Sequence, residues 1–147
     1  MDLIQSVTLG VYALFATSLC ILLVSIDLFG RALLPRTKTL PGSAERRTES
    51  NPAGGHGDGA ARVLAAHRNA LANIVPFLVL MFLYVLLGAS TRSVLGLCGV
   101  FTAMRVAHAI VHIRGVPPPW RTIPWLVAQV CLFVVMFQVA RAALAIV

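Results

Sequence analysis

The sequence predicts an all-α membrane protein, an up-down bundle of four transmembrane helices. Three observations carry that reading. First, of 147 residues 59% are hydrophobic and only 12% charged, about half the charge of an average soluble domain, and mean hydropathy is +0.87. Second, residues 3–26, 69–91 and 122–140 hold no Asp, Glu, Lys or Arg, and 93–113 hold only Arg105; a spanning helix needs about 20 apolar residues. Third, two of the three connections are short, and short loops join antiparallel neighbours. A soluble globular domain is excluded. The net charge of +7 would suggest nucleic acid in a soluble chain; here the cations are topology signals and intramembrane groups, and no nucleic-acid partner is expected.

The whole chain, 1–147, reads as a single integral membrane domain with helices at about 4–34, 62–89, 92–114 and 121–145. The first span has no basic residue ahead of Arg31 and a longer apolar run than a signal peptide, so it is expected to be retained. Residues 35–61 are rich in Gly, Pro, Ser and charge and show no apolar period, which predicts a flexible cytoplasmic loop. The later connections are Gly88-Ala89-Ser90-Thr91 and Gly115-Val116-Pro117-Pro118-Pro119. Trp120 and Trp125 suit an interfacial belt. Cys20, Cys98 and Cys131 sit in apolar runs without metal-ligand spacing and read as small buried hydrophobes.

Arg31, Arg36, Lys38, Arg46, Arg47, Arg62, Arg114 and Arg121 flank or occupy the first and third loops, against Arg92 and Arg141 near the other face. The positive-inside rule puts those two loops in the cytoplasm. The chain is expected as a multi-pass protein of a bacterial inner membrane.

Depth is more informative than count. The cytoplasmic ends of four helices hold Asp27 and Arg31; His67, Arg68, Asn69 and Asn73; Arg105, His108 and His112; Arg121 and Thr122. Polar groups in lipid are costly and face a bundle interior or a wet cavity. Arg105, His108 and His112 are spaced i, i+3 and i+7, one helical stripe, and Asn69 and Asn73 are i and i+4. Arg105 lies roughly 13 Å along the helix from Arg114, deep in the leaflet. Pro76 would open space beyond the cluster by kinking helix 2. The site is cationic, which suits a polar anionic ligand from the cytoplasm; an apolar second ligand would enter from lipid. Asp27 and Arg31 also fit a simple i, i+4 pair. A metal on His108 and His112 would need a third ligand such as His67, and none is expected. The polar groups stop at one leaflet, which disfavours a channel.

Arg62-Val-Leu-Ala-Ala-His67-Arg68-Asn69-Ala-Leu-Ala-Asn73-Ile-Val-Pro76-Phe77 resembles the helix 2 signature of the MAPEG family (membrane-associated proteins in eicosanoid and glutathione metabolism). Arg105-Val-Ala-His108 resembles its helix 3 motif, and Pro118-Pro119-Trp120-Arg121-Thr122 the start of its helix 4. The likeness covers helices 2 to 4 and is nearest the branch of microsomal glutathione transferase and membrane prostaglandin E synthase. It implies a homotrimer with glutathione between subunits in the cytoplasmic leaflet. By position it implies Arg121 as thiol activator with Thr122 beside it, and Arg68, Asn69, Arg105 and His108 as glutathione-binding, with His112, Asn73 and Arg31 as further candidates. It also implies a hydrophobic electrophile or lipid hydroperoxide from the bilayer as the second substrate. The same family contains non-enzymatic lipid-binding and regulatory proteins, which is the alternative. Ala72 stands where an acidic residue is usual in the family, and His112 and Trp125 stand where Tyr is common.

Overall fold

A computed structural model describes residues 2–33 and 57–146. Four helices follow one another, α1 (Leu3–Leu33), α2 (Gly57–Leu86), α3 (Thr91–Ile113) and α4 (Thr122–Leu144), and each is long and apolar enough to cross a membrane. The expected loop over 35–61 lies largely outside the described residues, but its end is helical: α2 starts at Gly57 rather than 62. α2 also runs through Pro76 as one continuous helix.

Both short connections use a glycine in the left-handed region. Gly88 has φ 85°, and there the Ala89 and Gly88 amides donate to the Tyr84 and Val85 carbonyls at 3.2 and 3.1 Å. That is why α2 stops at Leu86, short of 89. Gly115, with φ 69°, ends α3 likewise, its amide and that of Val116 donating to His112 and Val111, each at 3.1 Å. These bonds satisfy carbonyls that a helix end leaves orphaned. Ser90 then caps α3, its Oγ accepting from the Ser93 amide at 3.3 Å.

α2 and α3 form the inner pair. A third of each of their spans is buried (33%), against 11% for α1 and 17% for α4. α1 packs on one side of this pair and α4 on the other; α1 and α4 do not meet. At the middle, Phe77 of α2 and Phe101 of α3 stack with ring centres 3.6 Å apart. Leu19, Ile26, Val63, Ile74, Met81, Val94, Ala128 and Val135 close the core around them. Antiparallel order is fixed at both ends. Thr8 near the start of α1 bonds Thr91 at the start of α3 through their hydroxyls at 2.7 Å. At the other end Gly30 meets Val63, where an added Cβ would come 3.1 Å from the valine methyl. The outward faces carry Leu14, Ile21, Val79, Phe133 and Phe137, as lipid contact requires. Cys98 and Cys131 are buried as expected, whereas Cys20 is exposed on the outer face of α1; all three are free thiols.

Candidate functional site

Three helices bring their polar ends to one cavity of about 240 Å³, lined by Asn69, His108, His112, Arg121, Thr122 and Trp125. A hydrogen-bond chain builds its wall. Asn73, buried on α2, donates from Nδ2 to the Asn69 carbonyl at 2.6 Å and to Asn69 Oδ1 at 3.1 Å. Asn69 Nδ2 lies 2.7 Å from His108 Nε2. His108 Nδ1 lies 3.1 Å from the Arg121 carbonyl oxygen. A carbonyl can only accept, so His108 Nδ1 carries the proton and Nε2 accepts from Asn69. The chain therefore ties α2, through α3, to the first residue of α4, and fixes the Arg121 backbone at the cavity.

Arg121 is the N-cap residue of α4, and no side chain caps that helix. Its guanidinium, the Thr122 hydroxyl and the positive end of the α4 dipole thus fall at one place, a setting that favours an anion. No carboxylate among the described residues lines the cavity. Among the described residues, no three His, Cys, Asp or Glu side chains come together as metal ligands would.

Arg105 sits one turn deeper on the α3 stripe. It is 2% exposed, and its guanidinium carbon lies 5.4 Å from the centre of the Phe101 ring. All three guanidinium nitrogens are buried without a hydrogen-bond partner among the described residues. Ring-face attraction offsets part of the desolvation of a cation, but an unpaired buried charge is costly.

The sequence candidates therefore divide. Asn69, His108, His112, Arg121 and Thr122 share the cavity. Asn73 stands behind Asn69 as its support rather than in the lining. Arg31 is outside it, its Nε bonded to Asp27 Oδ2 at 2.7 Å, the simple i, i+4 pair. Arg68 is exposed, about 100° around α2 from Asn69, and so turned from its own subunit's cavity. Ala72 is exposed as well. Trp125 joins the lining; its i+4 spacing from Arg121 was the available signal, although a Trp near a helix end reads first as an interfacial anchor.

The sequence model described as "MAPEG family" matches residues 8–141. The chain is similar to microsomal glutathione S-transferase 1 of Mus musculus and of Rattus norvegicus, 32% identical to each over 83 residues, or 56% of this chain and 54% of theirs. It is similar to prostaglandin E synthase of Homo sapiens, 37% identical over 68 residues, 46% of this chain and 45% of that one. The matched stretches thus span about half the length of these relatives.

Proposed function

The chain belongs to the MAPEG family, and from that premise we propose that it is a membrane-bound, glutathione-dependent transferase or peroxidase. It conjugates glutathione thiolate to hydrophobic electrophiles or reduces lipid hydroperoxides. The observation that carries this reading is the meeting of Arg121 and Thr122, at an uncapped helix start, with Asn69 and His108 in one cavity. Its relatives by sequence are named as a glutathione transferase and a prostaglandin synthase.

A free thiol has a pKa of about 8.5, so little is thiolate at neutral pH. Arg121 stabilises the anion, and Thr122 donates a second hydrogen bond to sulfur. The thiolate then attacks an electrophilic carbon, or the terminal oxygen of a hydroperoxide, presented from the bilayer. Asn69, with a second amide hydrogen to spare, contacts the tripeptide, and His108 keeps Arg121 in register. Arg105 pairs with a glutathione carboxylate in the loaded assembly. The four helices act as one integral membrane domain with the basic loops in the cytoplasm, where glutathione enters.

The assembly is a homotrimer. Arg68 is exposed and does not line its own cavity, which leaves it available to a neighbour's, and Ala103 is exposed and Ala107 partly exposed on α3, small residues of the kind that permit close helix contact. Native mass spectrometry from detergent should show three chains; a stable monomer that retains glutathione affinity would contradict this.

A non-enzymatic lipid-binding role is the second reading. Ala72 favours it, because among the described residues no carboxylate lines the cavity for the glutathione amino group. Turnover assays decide between the two. Purified protein should conjugate glutathione to a generic aryl halide or reduce a lipid hydroperoxide; binding of lipid with no turnover of either substrate would leave only the second reading.

A further inference from the structure

We propose that His112 is the proton carrier of this site, taking the thiol proton of glutathione and handing it on to the leaving oxygen or to the cytoplasm. The inference rests on the glutathione reading above and adds a residue and a step to it.

Two histidines share the α3 stripe and line the same cavity, with ring centres 5.7 Å apart. Their hydrogen bonding separates them. His108 has both nitrogens committed, Nδ1 to the Arg121 carbonyl and Nε2 to Asn69. It has no free lone pair to accept a proton, and protonation would break its bond from Asn69. His112 is the opposite case. It lines the cavity beside Arg121, yet its Nδ1 is buried without a hydrogen-bond partner among the described residues. Which ring nitrogen carries the proton is set by what the other bonds; with no partner at Nδ1 among the described residues, no hydrogen bond there fixes the tautomer. His112 is therefore the cavity imidazole able to gain and release a proton.

The charges around it suit a base. On its own helix lie His108, bonded at both ring nitrogens, Arg105 deeper, and Arg114 at the helix end. From the start of α4 comes Arg121. α2 contributes Arg62, whose guanidinium lies beside Gly115, together with His67 and the exposed Arg68. α1 contributes Asp27 and Arg31, which pair with each other. Among the described residues no carboxylate lines the cavity to hold the ring as a cation, and the fixed charges beside it are guanidinium groups, so a neutral imidazole awaits the thiol. The division of labour follows. Arg121 stabilises the thiolate but cannot accept a proton; His112 can accept one but is no fixed charge.

The step balances. The S–H bond breaks, its proton goes to the free nitrogen of His112, and the electron pair stays on sulfur beside Arg121. With a hydroperoxide, the thiolate takes the terminal oxygen, the O–O bond breaks, and the alkoxide receives the proton from His112. The products are an alcohol and glutathione sulfenic acid; a second glutathione condenses with the latter to disulfide and water. With an aryl halide, sulfur–carbon bond formation expels halide, and His112 returns its proton to water.

Rapid mixing of glutathione with His112→Phe protein tests this. Thiolate absorbance should still reach the wild-type amplitude, and equilibrium dialysis should give wild-type affinity within a few-fold. The rate of thiolate appearance should fall by about 10²-fold, in the range general-base catalysis provides. Across the pH range in which an imidazole titrates it should stay flat, where the wild-type rate should rise with pH, and added free imidazole should restore part of it. If the variant does not fold, His112→Gln, which can hydrogen-bond but not carry a proton at neutral pH, takes its place with the same expectations. A wild-type rate and pH profile in either variant would overturn the proposal, as would loss of affinity with an unchanged rate at saturation. Wild-type protein that binds no glutathione would overturn it through the reading beneath it; binding and thiolate in wild type, with no kinetic defect in the variants, would overturn the His112 role alone.

Discussion

Arg121→Leu is expected to abolish the thiolate absorbance of bound glutathione and to lower turnover by roughly 10²-fold or more. That follows if lost charge stabilisation is about 3 kcal/mol at the sulfur. The argument is positional. Arg121 lines the cavity at the uncapped start of α4, next to Thr122. Its backbone is held by His108, which is held by Asn69, which is held by Asn73. Removing the guanidinium leaves that backbone chain intact, because only the Arg121 carbonyl takes part. Glutathione affinity should thus weaken far less than turnover. Equilibrium dialysis set beside the thiolate difference spectrum separates the two effects. Normal turnover at saturating glutathione would remove Arg121 from the role of activator.

Arg105→Leu should do the reverse. Arg105 is a buried cation whose three nitrogens lack partners among the described residues. On the proposed reading a glutathione carboxylate would pair with it and offset that cost. The variant should therefore bind glutathione about 10- to 10²-fold more weakly, as expected for 1–3 kcal/mol when a charged partner is left unpaired. It should also be more stable than wild type without ligand, by about 1–3 kcal/mol, since replacing buried ionic groups by apolar ones is often stabilising. Thermal unfolding with and without glutathione checks both: the ligand-free midpoint rises, and the ligand-induced shift shrinks. A lower ligand-free midpoint with unchanged affinity would make Arg105 a structural partner of Phe101 only.

The helices were legible because charge-free runs of spanning length leave little choice of structure in lipid. The end of α3 was legible where Gly115 marks it, whereas helix 2 was read through Gly88 to residue 89 and stops at Leu86. The start of α2 was not legible, because Gly57, Asp58 and Gly59 have the composition of a loop, and local propensity is a weak guide to where a helix begins. The polar stripe on α3 placed Arg105, His108 and His112 on one face, and the structure keeps them there. Spacing could not tell that His108 is locked while His112 is free, since that depends on contacts from α2 and α4. Nor could it separate Asn69 from Asn73. An i, i+4 pair shares a helix face, but depth in the bundle makes one residue lining and the other support. Cys20 was read as buried from an apolar run; in a membrane helix such a run faces lipid as readily as core.

The difference absorbance of glutathione added to the wild-type protein in detergent tests the central claim most directly. A thiolate band should appear that saturates with ligand, at a pH where free glutathione shows almost none, and that is absent in Arg121→Leu. No band in wild type, with no glutathione retained on dialysis, would contradict the account.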